Sequence, residues 1–91
     1  MKKIFKYTLP IIDKQEITLY AGSTILSVEN QYETIVLYAL VNDCVRGIEG
    51  YTILIHGTGH NANDIEGCNF VGTVKLQGGA LMLHVFARRD F

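Results

Sequence analysis

Tryptophan is absent from the 91 residues, proline occurs once, at Pro10, and cysteine twice, at Cys44 and Cys68. Each scarcity excludes something. A single proline leaves no proline-rich linker and no low-complexity spacer. Two cysteines 24 positions apart make neither a C-x-x-C zinc or redox motif nor a disulfide framework, and both read as buried free thiols. Serine appears only at Ser23 and Ser27, neither inside the G-x-S-x-G turn that exposes a hydrolase nucleophile. No apolar run reaches the roughly 18 residues of a membrane span. Charged residues are 19% of the chain and the net charge is −1, so no basic field exists to hold nucleic-acid phosphates. With no signal-peptide core after the opening lysines, the chain reads as cytosolic.

What is abundant is apolar character, at 48% of residues, which rules out intrinsic disorder. A chain of this length supports one core, so residues 1–91 are expected to form a single domain. Turn residues recur regularly and the segments between them are short. Ile4–Thr8, Gln15–Tyr20, Thr24–Tyr32, Thr34–Asn42, Tyr51–His56, Phe70–Gln77 and Ala80–Ala87 all read as strands. Helical periodicity is missing throughout. Gly78-Gly79 predicts a two-residue hairpin turn. The spacing predicts an all-β, antiparallel sandwich or small barrel of about seven strands.

His56-Gly57-Thr58-Gly59-His60 is the densest chemical feature. On an extended strand the two histidines would stand about 13 Å apart, too far to share a metal ion. Asp64, Cys68 or His84 could complete a metal set only if the glycines folded the chain back, so no metal or cofactor is expected. Glycine-rich backbone can also form an anion-binding concavity, with Thr58 adding a hydroxyl. The polar stretch Asn61–Asn69 follows, the longest without strand periodicity and the best candidate for a functional loop. The expected ligand-contacting residues are Gly57, Thr58, Gly59, His60, Asn61 and Asn63, with Arg88 supplying charge if the last strand ends nearby. Lys2, Lys3, Lys6, Arg88 and Arg89 would form one cationic patch if the termini adjoin. The acids are dispersed and offer no general acid/base pair. His84, between Leu83 and Val85, reads as a structural histidine on the face away from its apolar neighbours. Tyr7, Tyr20, Tyr32, Tyr38 and Tyr51 suit half-buried strand positions or an interface.

Lys6-Tyr7-Thr8-Leu9-Pro10, Gly57-Thr58-Gly59-His60, Phe70-Val71-Gly72-Thr73-Val74 and Leu83-His84-Val85-Phe86 together resemble a family of small uncharacterised bacteriophage proteins. The resemblance runs over nearly the whole chain and implies a phage setting in the host cell cytoplasm, with no catalytic residue to carry over. It suggests an accessory, possible counter-defence protein that binds without catalysing. Such a protein would sequester a small anionic, nucleotide-like host signal or bind a host protein. The alternative is a virion-associated or structural protein assembling through its sheet edges. Self-association into a homo-oligomer is expected, because so short and apolar a chain must hide surface and edges. Membrane and nucleic-acid partners are not expected.

Overall fold

The computed structural model describes residues 1–91. Seven strands run in chain order: β1 Lys2–Leu9, β2 Lys14–Tyr20, β3 Thr24–Gln31, β4 Thr34–Asn42, β5 Ile48–Gly57, β6 Asn69–Leu76 and β7 Leu81–Arg89. They form two antiparallel sheets, β1-β4-β3 and β2-β5-β7-β6, packed face to face. The fold is an all-β sandwich, as the spacing of turns predicts. No helix is long and apolar enough to cross a membrane.

Alternation places the core. Ile35, Leu37, Ala39 and Val41 of β4 face Ile53 and Ile55 of β5 and Leu83, Val85 and Ala87 of β7, all buried in one cluster. The near-continuous apolar run in β4 also buries Val36 on the outer side, so this central strand lacks the polar face of its neighbours.

Three local expectations shift. β5 begins at Ile48, three residues before the expected start at Tyr51, because Ile48, Glu49 and Gly50 pair with Tyr20, Leu19 and Thr18. Tyr32 is not a strand residue. Tyr32 and Glu33 form the β3–β4 turn with φ of 54° and 62°, the two left-handed positions of a type I′ hairpin. The β6–β7 hairpin exists, but its loop is Gln77–Ala80, so Gly78-Gly79 is the middle of a four-residue turn.

The two sheets are fastened along the β3/β6 side. Val28 lies against Gly72, where an added Cβ would sit 3.0 Å from a Val28 methyl; only a bare backbone permits that approach. Asn30 is the polar half of the clasp. Its amide donates to the Glu33 carboxylate (2.7 Å) and to the Lys75 carbonyl (2.8 Å), while its Oδ1 accepts from the Glu33 N–H (2.8 Å). Glu33 in turn accepts from the Gln77 N–H at 2.7 Å. The opposite side is left to apolar contact, with Phe5 and Tyr20 edge to face at 6.3 Å.

One connection shapes the functional surface. β5 and β6 are parallel with β7 between them, so residues 58–68 must travel back along the four-stranded sheet from the level of Gly57 to that of Ile53, which aligns through Ala87 with Asn69. Tyr51, Ile53 and Ile55 fill the core, which puts Thr52, Leu54 and His56 on the outer side. His56 is bonded to Asp64, so the crossover lies over that outer face. Leu54 is 2% exposed yet outside the core cluster; it pairs with Phe86 on the outer face that the crossover overlies at His56.

Candidate functional site: the crossover rim and the seam cleft

Gly57 ends β5, and the backbone turns sharply through Thr58 and Gly59, whose φ is +85°. The His60 ring folds back over Gly57: a Cβ there would be 2.9 Å from the imidazole. Gly57 is therefore glycine to make room for a ring. Beyond it, Asn61 Oδ1 accepts from the Asn63 N–H at 2.8 Å, which starts the short 3-10 turn Asn63–Ile65. The structure thus brings Gly57, Thr58, Gly59, His60, Asn61 and Asn63 to one end of the sandwich.

The two remaining histidines are held by neighbours. His56 Nε2 meets Asp64 Oδ1 at 2.7 Å. His84 bridges two hydroxyls, Thr58 Oγ1 at 2.8 Å on Nε2 and Thr73 Oγ1 at 2.9 Å on Nδ1, on the outer face as the alternation of β7 predicts. A neutral imidazole donates from one nitrogen and accepts at the other, and both hydroxyls can take either part. No three His, Cys, Asp or Glu side chains converge on a point that would hold a metal ion.

The rim frames an open depression of about 440 Å³ lined by Asp13, His56, His60, Asn61, Asn63 and Asp64. None of these is apolar. Two are carboxylates, and no lysine or arginine is among them. Arg88 is not part of the rim. It pairs with Thr52, five positions along β5 from Gly57, so it stands about 17 Å away along the sheet. There its Nε donates to Asp90 at 3.1 Å, and Asp90 also accepts from Thr52 at 2.5 Å. The Thr52 hydroxyl and then Arg88 hold the Asp90 carboxyl below its ordinary range.

The terminal cations do not form one patch. Both termini lie at the end of the sandwich opposite the rim. But Lys2 and Lys6 alternate with Phe5 and face outward from the three-stranded sheet, whereas Arg88 faces outward from the four-stranded sheet. Lys3 is taken up by Asp43 at 2.7 Å. The thiols also depart in part from expectation: both are free, but Cys44 is exposed and Cys68 half-buried.

A second depression was not legible in the sequence. At the terminal end of the β3/β6 seam, the ladder registers shift between Ile25 and Ser27 and between Phe70 and Gly72. Leu26 and Val71 are the extra residues, and bulges bend strands locally. The facing bulges open a cleft of about 320 Å³ between the sheets. Tyr51 and Ala87 lie deep in it, with Ile25, Leu26, Phe70 and Val71 on its walls. At its polar end Glu49 accepts from the Gly22 N–H (2.8 Å), the Tyr51 hydroxyl (2.8 Å) and Arg89 (3.4 Å). Those contacts hold the Glu49 carboxyl low, the Gly22 N–H most of all. Burial, and then the bond to Glu49, push the Tyr51 hydroxyl up to about 12. Gly22, the Glu49 and Tyr51 pair of β5, and Arg89 come from distant points of the chain, and no local pattern announces them.

Fold and surface together define a small β-sandwich with a polar, acidic crossover rim at one end and, at the other, a cleft with apolar walls and a polar end at the Glu49–Arg89 ion pair. The chain belongs to the family of the domain of unknown function DUF7352, which it matches over residues 1–91. No curated protein and no solved structure matches it.

Proposed function

We propose that the chain is a phage accessory protein of the host cytoplasm that binds a host protein through the crossover rim and catalyses nothing. The observation that carries this is the lining of the rim: polar throughout, with Asp13 and Asp64 and no cation. Such a surface complements a basic segment of a partner. A nucleotide-like anion is the poorer occupant, since the carboxylates repel it and Arg88 lies at the far end of the sheet. The histidines fit a binding role as well, because His56 and His84 are engaged with Asp64, Thr58 and Thr73.

The test is a photo-crosslinking amino acid at Asn63 in host cells, compared with the same group at Thr8 on the other sheet. A protein adduct formed only from position 63, and lost when Asp13→Lys is added, supports the reading. Equal adducts from both positions, or a small anion retained in native mass spectrometry, would overturn it.

Self-association belongs to the same reading, and the edges say where. β3 and β6 run beside each other, which leaves β1 and β2 as open edges. Antiparallel pairing of two β1 strands about Ile4 would set Lys2 against Lys6 of the second copy, a like-charge clash that guards edges. Two β2 strands paired about Gln15 would instead set Lys14 against Glu16. A β2–β2 pair is a closed two-fold dimer, which fits a binding protein. Lys14→Glu should shift sedimentation to monomer, and Lys14→Glu with Glu16→Lys should restore the dimer. A parent protein that is monomeric at high micromolar concentration defeats the dimer.

A further inference from the structure

The seam cleft lies at the end of the sandwich away from the rim and is independent of it. We propose that it is a binding site for a small amphipathic organic anion, with a flat apolar body between β3 and β6 and one carboxylate on Arg89. Three observations carry the assignment.

The first is the shape. Two edge strands that pack closely at Val28 and Gly72 separate within a few residues, because each carries a bulge at the same level. Paired bulges on facing strands create a gap that neither would create alone. At about 320 Å³ the gap sits at the low end of the roughly 300–1,000 Å³ of small-molecule pockets, so its occupant is small.

The second is the lining. Leu26 is 45% exposed and Phe70 60% exposed at the mouth, while Ala87 and Tyr51 are buried deeper in. Large apolar side chains left open around a recess are what an apolar ligand body covers. The Phe70 ring leans on Phe86 on the outer face of the four-stranded sheet, with ring centres 5.4 Å apart, so the inward-facing apolar lining comes from Ile25 and Val71, which pack against the core.

The third is the charge. Glu49 has only 12% of its side chain exposed, and its oxygens are taken by Gly22, Tyr51 and Arg89. Three of its roughly four acceptor positions are filled, and it is itself an anion, so it offers nothing to an anionic ligand. Arg89 is the reverse. Its side chain is 63% exposed, and only Nη1 is engaged, at 3.4 Å. A guanidinium carries five N–H donors in a fork that matches a carboxylate, so most of its capacity points to solvent at the mouth. Ser23, Thr24 and Asn69 stand beside it as neutral hydrogen-bonding partners for the same head group. A cation would find only Arg89 there, and a large anion would not enter the gap. A small aromatic or branched aliphatic carboxylate fits both ends.

The probe is 2-naphthoate, titrated into the isotope-labelled full chain and followed by amide chemical shifts, with neutral 2-naphthamide in parallel. Saturable shifts confined to residues 23–26, 69–71 and 87–89 are expected, with the naphthamide binding at least tenfold more weakly. Arg89→Gln should weaken 2-naphthoate by about ten- to hundredfold, the usual loss for a charge-assisted pair. Leu26→Glu, at an exposed position that tolerates polarity, should abolish binding. Lys75→Gln, at the other end of the four-stranded sheet, should leave it within twofold. Non-saturating or scattered shifts, equal binding of acid and amide, or unchanged affinity in Arg89→Gln overturn the assignment. Occlusion of Leu26 and Phe70 by a second copy in solution overturns it too. None of these results touches the rim, which the Asn63 crosslink tests separately.

Discussion

Asn30→Ala tests how the two sheets are held together. The substitution removes three hydrogen bonds: to the Glu33 carboxylate, to the Glu33 N–H and to the Lys75 carbonyl across the seam. Side-chain hydrogen bonds contribute about 0.5–1.5 kcal/mol each net of water, and exposed ones fall at the low end. Asn30 is exposed, so the expected loss is about 1.5–2.5 kcal/mol. Each kcal/mol shifts the melting temperature of a 60–100-residue domain by roughly 4–8 °C, which places the fall on the order of 10 °C. Urea unfolding followed by tyrosine fluorescence gives the free energy directly, and an unchanged m-value identifies the loss as one of stability. One of the three bonds ends on the Glu33 carboxylate, which Glu33→Gln alters, so Asn30→Ala and Glu33→Gln should be non-additive by up to that bond. A loss below about 0.5 kcal/mol, or simple additivity of the two variants, would refute the clasp and leave the seam to Val28 and Gly72.

Tyr32→Asn should stabilise the protein by up to about 1 kcal/mol, because a 95% exposed tyrosine held at φ 54° gives way to a residue that tolerates the left-handed region; a lower melting temperature would count against the turn assignment. Leu54→Ala should cost roughly 2–5 kcal/mol although Leu54 lies outside the central cluster, and hydrogen exchange should accelerate in residues 58–68 if they rest on it; unchanged exchange there would mean that the crossover is held elsewhere, at His56 and Asp64. Acid should destabilise the fold. The Glu33, Glu49 and Asp90 carboxyls are all held below their ordinary values, so the stability they confer is complete above the ordinary carboxylate range and is lost as pH falls through their lowered values; melting temperatures that hold constant from pH 6 to pH 3 would contradict this. At the alkaline end Tyr51 is raised to about 12, so the folded form keeps a proton that the unfolded chain loses near the ordinary value of 10, and stability should decline between those values; Tyr51→Phe should flatten that decline.

The sequence alone determined the secondary structure and the class of fold. Alternation in Gln15–Tyr20 and Ala80–Ala87, the apolar run Thr34–Asn42 and the spacing of glycines are local signals. Each strand's pattern is set by which of its own faces is buried, so seven strands and an all-β domain follow without knowledge of partners. The sequence also brought out the Gly57–His60 turn and the polar stretch after it, because glycine and asparagine mark turns by their own backbone preferences. What it could not determine is which strands adjoin, and every functional distance depends on that. Arg88 is absent from the rim because β7 pairs with β5 in a register that sets it beside Thr52, and register is a property of two strands. Tyr32 left its strand because Asn30 and Glu33 stabilise a left-handed turn across the seam, an arrangement that depends on Lys75 and Gln77 from another sheet. The seam cleft needs two bulges 45 residues apart in sequence to face each other, and its ion pair joins Glu49 to Arg89 across 40 residues. Local chemistry writes strands and turns, but a site assembled from four strands exists only once the sheets have packed.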